Sequence, residues 1–156
     1  MMERYEGVTI RGQVKMELFD VQGDLVDFRD WSPNMIVYAG NDLIRDCLGQ
    51  SSGQPAGAQW IAIGTGTDAV SGADTTLGTE SSRKPSAYAE AETGGGLKDR
   101  WTEIVTFGAG EGTGAVTESG CFNASGAGSM FCRQTFAVIN KGAGDSLQMT
   151  WQFTIS

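Results

Sequence analysis

The pattern that most constrains the fold lies at the end of the chain, where Leu147, Met149, Trp151, Phe153 and Ile155 alternate strictly with Gln148, Thr150, Gln152 and Thr154. Side chains along a strand point to opposite faces in turn, so this period of two sorts apolar groups to one side and polar groups to the other. A half-buried antiparallel strand is the element that needs such sorting: one face packs on a core and the other meets water or a partner. The last stretch of sequence is therefore expected to be part of the core.

The same alternation recurs upstream. Val14, Met16 and Leu18 alternate with Lys15 and Glu17, the turn-like Val21-Gln22-Gly23-Asp24 interrupts, and Leu25, Val26 and Phe28 resume, which reads as a β-hairpin. Residues 34–38 form the next extended piece. From Asn41 the period changes, with Leu43, Ile44, Cys47 and Leu48 at helical spacing. Asn41 is the expected N-cap and Gly49 the expected left-handed terminator, giving one short helix over 41–48. After a polar loop over 51–59, the run Trp60-Ile61-Ala62-Ile63-Gly64 predicts a buried strand, and 65–83 is the longest expected loop. Strands are predicted over 86–93 and 98–107, joined at Gly94-Gly95-Gly96. Two more, over 116–122 and 130–140, flank a turn at 124–128.

Glycine is abundant, at 23 of 156 residues, and proline is scarce, at three. With no periodic repeat this composition supplies turns between strands, not a collagen-like or disordered chain. The predicted fold is all-β: an antiparallel β-sandwich or jelly-roll-like barrel with one short helix. With no composition break to mark a linker, residues 1–156 read as a single domain with an extended N-terminal segment over 1–11.

Composition also excludes functions. Histidine is absent, which removes the commonest general base and the commonest zinc ligand. A formal net charge of −8 disfavours a nucleic-acid partner, because phosphate binding needs clustered Lys and Arg. No apolar run is long enough to span a membrane. Residues 1–7 lack the apolar centre of a signal peptide, so the chain is expected to stay where it is made or to leave by lysis. Three cysteines without CxxC spacing do not make a zinc site. Cys121 and Cys132 flank a hairpin turn and one register sets them opposite each other, either as a disulfide or, the favoured reading, as small buried thiols.

Several residue groups invite a chemical reading. Gly64-Thr65-Gly66-Thr67 suggests a phosphate cradle, but it lacks the lysine of a P-loop and the third glycine of a dinucleotide motif, so a turn after a buried strand is the better reading. Asp68, Asp74 and Glu80 have no EF-hand spacing and read as solvated loop carboxylates more readily than as calcium ligands. Glu103 and Glu118 could form an acid pair of the glycosidase kind, but sequence does not place them together. Trp31, Trp60, Trp101 and Trp151 could stack sugars, though apolar strands use indole for packing by default. Arg83 and Arg133 are cations in a region poor in them; each either ties a loop or strand to a carboxylate, with Glu80 and Glu118 the nearest candidates, or is simply solvated at the surface. No cofactor or catalytic residue is expected.

The order of segments, from Asn34-Met35-Ile36-Val37-Tyr38-Ala39-Gly40-Asn41-Asp42-Leu43-Ile44 through Trp60-Ile61-Ala62-Ile63-Gly64-Thr65-Gly66-Thr67, Asp74-Thr75-Thr76-Leu77-Gly78-Thr79-Glu80 and Glu118-Ser119-Gly120-Cys121-Phe122-Asn123-Ala124 to Asp145-Ser146-Leu147-Gln148-Met149-Thr150-Trp151, resembles small virion proteins of tailed bacteriophages. These are capsid decoration (cement) proteins and tail- or fibre-associated proteins. The resemblance implies a non-enzymatic structural role at the capsid surface, made in the host cytoplasm. Its expected partners are the major capsid protein or other virion proteins, and a dimer or trimer of the chain itself. The alternative is a tail- or fibre-associated module that binds host glycans. On the capsid reading, the contact elements are the segment 1–11, with Arg4, Tyr5 and Arg11, and the loop 65–83, with Thr67, Asp68, Asp74 and Arg83.

Overall fold

A computed structural model describes residues 7–92 and 99–156. The strands are β1 (Ile10–Phe19), β2 (Leu25–Pro33), β3 (Met35–Ile36), β4 (Trp60–Gly64), β5 (Glu80–Pro85), β6 (Ala87–Ala91), β7 (Arg100–Phe107), β8 (Gly114–Phe122), β9 (Met130–Lys141) and β10 (Ser146–Ile155). A single helix among the described residues, α1 (Tyr38–Gly49), follows β3. The strands build two antiparallel five-stranded sheets, in the orders β2-β1-β10-β7-β6 and β3-β9-β8-β4-β5. Two separate sheets are the sandwich form of the expected all-β fold.

The C-terminal alternation is realised across the whole first sheet. Val14 pairs with Trp151, Met16 with Met149 and Leu18 with Leu147, so the apolar sides of β1 and β10 make one continuous inner face. Val105 and Phe107 of β7 extend it. The second sheet contributes Ile61, Ile63, Val116, Cys121, Cys132 and Ile139 to the same core. Its other face is covered too: Ala62, Phe122 and Met130 pack with Val37 and with Leu77 from the loop between β4 and β5. Covering on both sides explains why Trp60 to Gly64 reads as a continuous apolar run without alternation.

Three sequence expectations change. The helix starts at Tyr38, not Asn41, and its N-cap position is Val37, which offers no side-chain cap. Tertiary bonds hold this end in place, Val37 N donating to Phe131 O and Tyr38 N to Gly72 O. The helix also ends without a left-handed glycine: Gly49 is its last residue and Gln50 is extended, its N–H donating to Asp46 O. Residues 80–83 of the expected long loop belong to β5, which pairs with β4 through Ala62↔Arg83 and Ile63↔Ser82. Only Met35–Ile36 of the extended piece over 34–38 is strand. The expected joint at 94–96 lies outside the described residues.

The turn between β8 and β9 uses positive φ at Ala127 (48°) and Gly128 (73°). Glycine is needed at the second position because a Cβ there would lie 2.7 Å from Asn123 Oδ1. The register then sets Cys121 opposite Cys132, both buried and both free thiols. Among the described residues no helix is long and apolar enough to cross a membrane.

Candidate functional site

The segment joining β4 to β5 runs over the outer face of the second sheet and is fixed there by one carboxylate. Glu118, on β8, is completely buried. Its Oε1 accepts from Gly66 N at 2.9 Å and Thr79 N at 2.8 Å, and its Oε2 from Gly78 N at 2.9 Å. Arg133 of β9 donates to the same Oε2 from Nη2 at 2.8 Å and from Nε at 3.2 Å. Both ends of the loop, the Gly66 turn and the Gly78-Thr79 return, thus converge on one side chain. Glycine at 66 follows from this approach, since a Cβ would lie 2.5 Å from Glu118 Oε1. Burial would raise the Glu118 pKa, but the bonds from Thr79, Gly78, Arg133 and Gly66 outweigh it and hold the carboxyl below the usual glutamate range.

Arg133 extends the anchor to the loop's middle. Its Nη1 donates to Asp74 Oδ2 at 2.7 Å and Nη2 to Asp68 O at 3.4 Å. Asp74 also caps its own turn, accepting from Ser71 N at 2.9 Å. Burial acts to raise the Asp74 pKa, and the bonds from Ser71 and Arg133 lower it by more. On the apolar side Leu77 is buried against Ala62 and Phe122. The loop is consequently built like a piece of core. Its outward surface is Thr65, Thr67, Asp68, Ser71, Thr75 and Thr76, all exposed.

A second anchor lies nearby. Arg83 on β5 sits 3.6 Å above the Phe122 ring centroid. Its Nη1 donates to Ala124 O and Ala127 O, each at 3.0 Å, and its Nε and Nη2 form a fork on Glu80 at 2.9 and 2.6 Å. One guanidinium therefore fixes the β8–β9 turn to β5. Both arginine pairings anticipated from sequence, Arg83 with Glu80 and Arg133 with Glu118, are present.

The residues named as contacts fall into distinct places. Thr67 and Asp68 are exposed on the loop, and Thr67 lines a shallow depression with Thr117, Thr135 and Phe136. Asp74 and Arg83 are spent on the internal bonds just described, so they shape the surface from beneath. Arg11 is exposed on β1, and Arg4 and Tyr5 lie outside the described residues. Glu103 stands apart from Glu118. It lies on β7 of the first sheet, is 3% exposed and accepts from Ser86 Oγ at 2.6 Å. Of the three carboxylates read as solvated loop groups, Asp68 is exposed, whereas Asp74 pairs with Arg133 and Glu80 with Arg83. Among the described residues no group of three His, Cys, Asp or Glu side chains could hold a metal ion.

Aromatic side chains reach the surface elsewhere. Phe28 on β2 is 58% exposed and pairs across the strand with Glu17, and Trp31 is 38% exposed with Lys15 Nζ 5.6 Å from its ring centroid. Both sit on the outer side of the first sheet, the face that carries Lys15 and Glu17. The edge of β2 is guarded: Asp27 and Asp30 accept from the N–H groups of Phe28 and Trp31. Arg29 ties the strand to β9 through Ala137 O and Val138 O. Comparisons with protein families, with curated proteins and with solved structures find no match to this chain.

Proposed function

We propose that the protein is a structural component of a tailed-bacteriophage particle, a decoration protein that cements the major capsid shell. The observation that carries this reading is the loop over 65–79, a polar surface held rigid by buried charge. Binding through a preformed surface avoids the entropy of ordering a loop on contact, so modest contacts suffice. Repeated over a symmetric lattice, such contacts add through multivalency. The outward threonines and Asp68 would meet the shell protein, and the segment 1–11 would reach a neighbouring subunit. A dimer or trimer of the chain would sit at a symmetry axis.

The test is binding of the purified protein to undecorated, expanded capsids. Saturable binding that raises the capsid melting temperature is expected, with loss of binding in Thr67→Lys/Asp68→Lys. Absence of binding at micromolar protein rejects the reading.

A second reading has its own support. Phe28 and Trp31 on the outer face of the first sheet suit stacking on sugar rings, as a tail- or fibre-associated adhesion module would require. A glycan array separates the two, because a cement protein binds no glycan and an adhesion module loses its glycan on Trp31→Ala.

A further inference from the structure

A cavity of about 340 Å³ opens between α1, the chain over 56–59 and the end of the first sheet. Its walls follow from the sequence. The helix turns Leu43, Ile44 and Cys47 toward the sheet, the small residues Ala56, Gly57 and Ala58 leave space, and the sheet supplies Trp101 and Phe153. Those two rings stack with centroids 5.0 Å apart, and Phe131 packs on Phe153 at 5.2 Å. Such a size and such walls are those of a small-molecule site.

One lining residue is not explained by packing. Trp101, Val105 and Phe107 occupy the inward positions of β7, and Glu103 occupies the position between them. A carboxyl there costs free energy that a leucine would not. Ser86 Oγ bonds Oε2 at 2.6 Å, one bond on a group whose two oxygens together can accept about four. Burial pushes the Glu103 pKa up, against the opposing bond from Ser86, so a hydrogen-bond donor or cation brought to the carboxyl offsets the cost of burying its charge. A buried carboxyl with bonding capacity to spare, at the wall of an apolar cavity, is suited to orient a ligand.

We propose that this cavity binds a small apolar molecule carrying a single hydroxyl or amino group, with that group on Glu103 and the hydrocarbon against Trp101, Phe153, Leu43 and Ile44. An alcohol both donates to and accepts from a carboxyl, and an ammonium pairs with a carboxylate. A ligand carboxylate meets an unfavourable like group. The proposal stands whether or not the protein decorates a capsid.

Cys47 provides the readout, because it lines the cavity and is exposed while Cys121 and Cys132 are buried. The rate of Cys47 labelling by a thiol reagent is measured with 1-octanol, octylamine or octanoate present. Octanol and octylamine are expected to slow labelling at least threefold at saturation, with octanoate at least tenfold weaker in affinity. Glu103→Gln is expected to narrow that difference, since an amide can donate to a carboxylate, and Ile44→Trp to abolish protection by filling the cavity. Equal protection by all three compounds, or by none up to the solubility limit, overturns the proposal on the unmodified protein alone.

Discussion

Arg133 Nη2 lies 2.8 Å from Glu118 Oε2, and the two side chains expose 3% and 0% of their surfaces. An ion pair so placed is expensive to desolvate and is retained only where its remaining valences are filled. Here they are filled by the loop: three backbone N–H groups reach the carboxylate, and Asp74 and a carbonyl reach the guanidinium. The pair thus converts burial energy into a fixed loop conformation.

Removing the charge from one side tests this directly. Glu118→Gln presents an amide donor toward N–H groups and leaves Arg133 buried with a single carboxylate. A loss of about 3 kcal/mol is expected, read by urea unfolding, with the loop over 65–79 becoming open to protease first. A loss below about 1 kcal/mol, the scale of a surface ion pair, would show that the loop does not depend on the anchor.

Stability should depend on pH in two opposed ways. Glu118 and Asp74 are held below their usual range when folded, so their contribution is complete above that range and lost as acid protonates them, below about pH 4. Glu103 is shifted up by burial, so the folded state keeps its proton longer than the unfolded chain does. Its contribution falls as pH rises from about 4.3 through the folded value. Urea midpoints across this range are expected to rise from acid and then decline, and Glu103→Gln should remove the decline while leaving the acid limb. An unchanged decline in that variant would show that another group causes it.

The thiols should be distinguishable by access. Burial, and then the neighbouring Cys132, push the Cys121 pKa well above the usual thiol value, and both residues are shielded, whereas Cys47 is exposed. A thiol reagent should modify one cysteine in the native protein and three after denaturation. A denatured count of one would mean that Cys121 and Cys132 are joined.

Arg83 should behave as a structural fork. Arg83→Met keeps an apolar stem but removes the guanidinium stacked on Phe122 and leaves Glu80 and the Ala124 and Ala127 carbonyls without their donor, at an expected cost of about 2 kcal/mol. Lysine should recover less than about half of it, because a point charge cannot bond a carboxylate and two carbonyls in one plane. Hydrogen exchange in the turn over 124–128 should accelerate in both variants, and full recovery by lysine would count against the fork.

Local pattern made part of this readable in advance. The alternation over 147–155 became β10, the apolar run at 60–64 became β4, and the turn glycines at 126 and 128 marked the β8–β9 hairpin. The readings that moved depend on distant partners. Helix α1 begins at Tyr38 because Phe131 and Gly72 carbonyls receive its first N–H groups, which no local capping residue announces. Glu80–Pro85 lacks strand alternation and is a strand through its pairing with β4. Glu118 was legible as a partner for Arg133. Its three backbone donors lie 39 to 52 positions away in sequence and could not be foreseen. Glu103 did carry a signal, a carboxylate at an inward position between Trp101 and Val105.

The proposed role as a capsid decoration protein is tested most directly by whether, and in how many copies, this chain is found in purified tailed-phage particles, measured by quantitative mass spectrometry against the major capsid protein. A cement protein repeated over the shell gives on the order of hundreds of copies in fixed ratio to the shell subunit. A handful of copies per particle, or none, would contradict the capsid assignment.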